Sequence, residues 1–81
     1  MAKVSFKKYE YEDIRTEYKV LSSAAAADVE SRTIVTAAGA VASDAGIDDV
    51  DNSTNFVLAE DIKKGDLGFV YYIIENKDNL I

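Results

Sequence analysis

Residues 56–74 hold two apolar runs joined by four polar residues, and they commit this part of the chain to β structure. The first run is Phe56-Val57-Leu58-Ala59-Glu60-Asp61-Ile62, the connection is Lys63-Lys64-Gly65-Asp66, and the second run is Leu67-Gly68-Phe69-Val70-Tyr71-Tyr72-Ile73-Ile74. β-branched and aromatic residues fill the second run, Gly lies in the connection, and no Pro interrupts either side, which predicts a hairpin. The second run is apolar on both faces. A small chain struggles to cover both faces of such a strand, so the run also predicts association.

Size sharpens that expectation. The chain has 81 residues, and a domain of this length buries only about 60–65% of the surface its unfolded form exposes. Small domains compensate with disulfides, metals or partners. There is no Cys and no His, which removes disulfides and Cys/His zinc sites and leaves association. The same absences remove every nucleophile activated through imidazole or thiolate. A carboxylate pair or a Lys–Tyr pair still needs a concave pocket, which so short a chain seldom builds. The expectation is a protein that is not an enzyme and carries no cofactor.

Charge is unevenly placed. The formal net charge is −6, yet residues 1–20 are +1, with Lys3, Lys7, Lys8, Arg15 and Lys19 against Glu10, Glu12, Asp13 and Glu17; the remainder is −7. An acidic body lacks the basic face that a phosphate backbone requires, which argues against nucleic acid as a partner. The longest uncharged stretch, residues 33–43, falls far short of the roughly 20 residues of a membrane helix. No apolar core follows the first residues, so neither a membrane span nor a signal peptide is expected.

Along the chain, residues 3–20 read as extended. Val4 and Phe6, then Tyr9 and Tyr11, alternate with polar residues as a strand does, and the apolar side changes face near Lys7-Lys8. This segment is either an edge strand or an arm that docks on a partner by main-chain pairing. Ala24-Ala25-Ala26-Ala27 favours a helical turn by propensity but is too short to be stable alone, so residues 20–30 read as a connector. Thr33-Ile34-Val35-Thr36 is β-branched throughout and predicts a strand. Gly39 interrupts the alanine-rich stretch that follows, which favours a pair of short strands bending at Ala-Gly over a helix.

Residues 48–55, Asp48-Asp49-Val50-Asp51-Asn52-Ser53-Thr54-Asn55, form a polar loop. Asp49, Asp51, Ser53, Asn55 and Glu60 fall at the spacing of an EF-hand calcium loop. Thr54, however, stands where the sharp turn needs Gly, and a strand follows where a helix should. Asx turns account for such a cluster without a metal, so no metal site is expected, weak calcium binding at 49–60 being the open alternative.

The stretch from Gly39 to Ile74 resembles the lambda-type bacteriophage head decoration, or capsid cement, proteins. The resemblance rests on an extended Val/Ala-Gly segment, an Asp-rich break, the run Val57-Leu58-Ala59-Glu60-Asp61, the turn with Gly65, and the closing aliphatic strand. Phe56 stands where the family often has Gly, and residues 1–20 are aromatic and charged where the family is often rich in Pro, Ala and Thr. The resemblance implies a mainly β fold: a small β-barrel or β-tulip-like domain of short antiparallel strands, residues 21–81, with an extended N-terminal arm or edge strand, residues 1–20. It also implies a homotrimer at local threefold sites on the outer surface of the virion capsid, bound to the major capsid protein and stabilising the shell. Shell contacts would then come from Val4, Phe6, Tyr9, Tyr11 and Ile14 in the arm, and subunit contacts from Val70, Tyr72 and Ile74. Two other readings stand beside it. One is a non-enzymatic β-rich interaction module, such as a phage tail or adaptor component. The other is a small enzyme or carrier using Asp48, Asp49, Asp51 and Glu60.

Overall fold

The structure, a computed structural model, describes residues 3–4 and 14–75. The protein is mainly β. Strands β1 (Ile14–Val20), β2 (Ile34–Thr36), β3 (Asn55–Leu58) and β4 (Gly68–Ile74) form one antiparallel sheet in the order β1-β4-β3-β2, with a 3₁₀ turn at Ile47–Asp49. The sheet is open and does not close into the expected barrel. β1 and β2 are its outer named strands.

The long run of β4 sits centrally, as its β-branched and aromatic content demands. It pairs with β1 over seven positions, from Ile14 opposite Ile74 to Val20 opposite Gly68, and with β3 at Val57–Tyr72 and Leu58–Tyr71. β3 pairs with β2, Ile34 opposite Val57 and Val35 opposite Phe56. The Ala-Gly bend also forms. Gly39, at φ +79°, donates its N–H to Thr36, and Val41 bridges back to Val35.

The two faces of the sheet carry separate cores, and alternation along each strand decides which side chain enters which. Val35, Phe56, Leu58, Phe69 and Tyr71 point to one face, where Leu21, Ala25, Val29 and Ile62 cover them. Phe56, Phe69 and Tyr71 meet there edge to face, with ring centroids 4.6–5.8 Å apart. Ile34, Val57, Ile74 and Ile14 point to the other face and pack with Val4 and Val50, with Ala42, Ala45, Ile47 and Tyr72 alongside.

This arrangement corrects three expectations. The hairpin forms, but its first strand stops at Leu58. Ala59 still donates to the Val70 carbonyl at 2.8 Å, and Ile62 then swings away to exchange two main-chain hydrogen bonds with Val29, both 2.9 Å, so residues 60–66 are an excursion and only their end is the Lys63–Asp66 turn. No helical turn forms at Ala24–Ala27. Ala25 instead bonds Asp66 and Gly65 through its main chain, each at 2.9 Å, and the connector zips onto the excursion as a lid. The lid buries every fourth residue, Leu21, Ala25 and Val29, a helical spacing used by irregular backbone. Finally, β4 does not present a bare second face. Phe69, Tyr71 and Ile74 are buried and Val70, Tyr72 and Ile73 half-buried, because loops from both sides of the sheet close over it.

Candidate interaction surface

β1 is where the sheet is least finished. Among the described residues it has one strand neighbour, β4. The N–H of Leu21, just beyond β1, donates to the carbonyl of Leu67 opposite it, 2.6 Å away. In an antiparallel ladder this polarity alternates, so Arg15, Glu17 and Lys19 turn their main-chain groups toward β4, while Thr16, Tyr18 and Val20 turn theirs outward. The outward row is the kind of template on which another strand pairs.

Side chains on this edge divide by face. Lys19 lies on the aromatic side with its Nζ 5.1 Å from the centre of the Phe56 ring, and Arg15 pairs with Glu75 and with Glu17. Tyr18 and Val20 lie on the opposite side. The second core covers that face only near Ile14 and Ile74 and stops short of the far end of the sheet. Tyr18 is therefore 67% exposed and Val20 71%. Gly68 makes this possible, since a Cβ there would run into the Tyr18 hydroxyl that lies over it. Tyr18, Val20 and the outer edge of β1, which among the described residues has no second strand neighbour, form one surface; Leu67, opposite Leu21, falls on the aromatic side.

The sequence-predicted contact residues are placed differently. Val4 is 3% exposed and bonded through its N–H to the Arg32 carbonyl at 2.7 Å, and Ile14 is 6% exposed; both belong to the second core. Phe6, Tyr9 and Tyr11 lie outside the described residues. Of the predicted subunit contacts, Ile74 is 3% exposed inside the same core, while Val70 and Tyr72 are half-buried on the sheet. Sequence reasoning missed Tyr18 and Val20 as one surface. The alternation within Thr16-Glu17-Tyr18-Lys19-Val20 was available, but only the β1–β4 register shows that Gly68 lies under Tyr18.

The acidic groups hold loops. One Asp51 carboxylate oxygen accepts the N–H groups of Ser53, Thr54 and Asn55 at 3.0, 2.7 and 3.0 Å, which holds its pKa well below the usual carboxylate range. Asp49 accepts the Gly46 N–H at 2.8 Å, and its carbonyl receives the Asn55 amide at 3.1 Å. Among the described residues no group of three or more acidic side chains is arranged to hold a metal ion. An open cleft of about 250 Å³ lies beside the Val29–Ile62 bridge, lined by Asp28, Glu30, Asp61 and Lys63. Its carboxylates are engaged too: Asp28 accepts the Lys64 N–H, Asp61 accepts the Ser31 N–H, and Glu30 pairs with Lys3. No helix among the described residues is long and apolar enough to cross a membrane.

No family model, no curated protein and no solved structure matches the chain.

Proposed function

We propose that this protein is a non-enzymatic structural protein that decorates the outer surface of a phage capsid, as a trimer at local threefold sites, and stabilises the shell through the major capsid protein. The observation that carries the reading is the β1 edge, which has one strand neighbour among the described residues and is flanked by exposed Tyr18 and Val20. That surface suits pairing with another chain, and it belongs to a small mainly β domain with the family-like Val57–Asp61 segment at the end of β3. An acidic surface and the absence of Cys and His agree with a partner that is protein.

Phe6, Tyr9 and Tyr11 remain the proposed anchors of the N-terminal segment, since buried aromatics dominate interface energies. Val4 and Ile14 serve the domain's own core, so deleting residues 1–14 would damage the fold along with any docking. The test is to mix the full chain with emptied shells that lack it and locate bound density by electron microscopy. Density at local threefold positions, weakened by replacing Phe6, Tyr9 and Tyr11 with Ser, is the expected result. Absence of binding to the shell would overturn the reading. The burial of Val4 and Ile14, which takes two of five expected shell contacts into the core, favours the second reading, a β-rich adaptor or tail component. Density on a tail or connector would select it.

A further inference from the structure

We infer that the free protein pairs with a second copy of itself through β1, antiparallel and two-fold symmetric about Tyr18. The reasoning uses the edge alone and does not depend on the capsid reading.

Main-chain polarity fixes which registers are allowed. Thr16, Tyr18 and Val20 face outward, so these residues must form the hydrogen-bonded pairs with a copy. Placing Tyr18 on the two-fold axis sets Tyr18 opposite Tyr18 of the copy and Thr16 opposite Val20, with about six main-chain hydrogen bonds. The side chains then agree on both faces. On one face Tyr18 meets its equivalent and Val20 meets Thr16, which extends the exposed apolar surface across the axis and covers part of it. On the other face Glu17 stands opposite Lys19 and Lys19 opposite Glu17, at the non-hydrogen-bonded positions where side chains come closest.

The competing arrangements are worse. A parallel in-register pair sets Glu17 against Glu17 and Lys19 against Lys19. Centring an antiparallel pair on Glu17 keeps allowed polarity, with Thr16 opposite Tyr18, but it repeats the Glu17 clash and sets Arg15 against Lys19. Centring on Thr16 has allowed polarity but sets Tyr18 opposite Ile14, which is committed to the second core, and draws on Arg15, which already holds Glu75 and Glu17. Charged residues usually protect an edge strand from pairing. Here their alternating sign is complementary to its own reversed copy. The contact is small, so the dimer belongs to the weak, transient class. A shell strand that used the same edge would displace the copy.

The chain has no Cys, so one introduced thiol reports the register. Tyr18→Cys places two thiols across the axis with Cα atoms about 5.5 Å apart, within disulfide range. Thr16→Cys places them about 13 Å apart, out of reach. The expected result of mild oxidation is a covalent dimer from Tyr18→Cys, none from Thr16→Cys alone, and a heterodimer from Thr16→Cys mixed with Val20→Cys. Because Tyr18 is exposed and its loss weakens the contact, sedimentation of unmodified and charge-altered protein supplies a second readout. Lys19→Glu should lower self-association about tenfold, and the double swap Glu17→Lys with Lys19→Glu should restore it. Sedimentation as a monomer up to millimolar concentration, equal crosslinking at positions 16 and 18, or failure of the double swap to restore association would each overturn the inference.

Discussion

The side-chain amide of Asn52 pairs with the main chain of Ile74 as a neighbouring strand would. Its Nδ2 donates to the Ile74 carbonyl at 2.8 Å and its Oδ1 accepts the Ile74 N–H at 3.1 Å. The β3–β4 ladder is short, and at Ile74 the main-chain groups facing β3 have no strand to meet. Asn52 supplies the missing partner from the polar loop, and its φ of +60° is one that Asn tolerates better than most residues. The loop thereby ties the second core to the end of the central strand.

That tie is separable into two parts by substitution. Asn52→Gly removes the amide while keeping the backbone conformation comfortable, and should cost about 1–3 kcal/mol for two part-buried main-chain groups left unpaired. Asn52→Ala adds the left-handed penalty, about 1–2 kcal/mol more. Urea unfolding of both variants should rank them wild type, Gly, Ala in falling stability. Ala equal to or better than Gly would show that backbone strain contributes nothing here.

Phe56 stands at the centre of the aromatic core, edge-on to both Phe69 and Tyr71 and fully enclosed. Phe56→Ala should cost about 3–5 kcal/mol, a large part of the total for so small a domain. The expected outcome is loss of the cooperative thermal transition at ambient temperature, with Phe56→Leu retaining it at a lower midpoint.

Asp51 makes stability depend on acid pH. Three N–H donors favour its charged form, so its folded pKa is depressed and the unfolded value lies near 3.9. A depressed carboxylate contributes stability that is complete above the unfolded pKa and is lost as the pH falls through that value toward the folded one. Asp51→Ala should therefore lower the urea midpoint at pH 7. The gap between wild type and variant should narrow between about pH 5 and pH 2. A gap that stays constant across that range would separate the carboxylate's role from its charge.

Gly39 and Gly65 offer a matched pair, because both adopt positive φ, +79° and +94°. A Cβ at Gly65 meets nothing within 4 Å, whereas one at Gly39 would lie 3.1 Å from a Leu21 methyl in the lid. Gly65→Ala should cost only the backbone term, about 1–2 kcal/mol. Gly39→Ala should cost more because Leu21 must shift, and thermal unfolding midpoints of the two variants check the order.

What the chain's residues determined by themselves is local. β-branched and aromatic runs specify strands at 34–36, 55–58 and 68–74, because their side chains suit a pleated surface whatever lies above it. Gly39 specifies the bend and Asp51 the loop, since each acts through its own backbone or the next few residues. The place of the candidate surface was not legible in that way. Val4 and Ile14 read as arm anchors, and only tertiary structure brought them beside Val50 and Ile74 to close the second core. Ala24–Ala27 read as a connector with a helical turn, and only the long-range bonds of Ala25 to residues 65 and 66 made it a helix-free lid. β4 read as too apolar for one domain, and two loops far apart in sequence covered it. Tyr18 and Val20 emerged as a surface for the converse reason: the second core ends before it reaches them. Burial depends on which distant segment arrives at a face, and that is a property of the assembled fold, not of any run of residues.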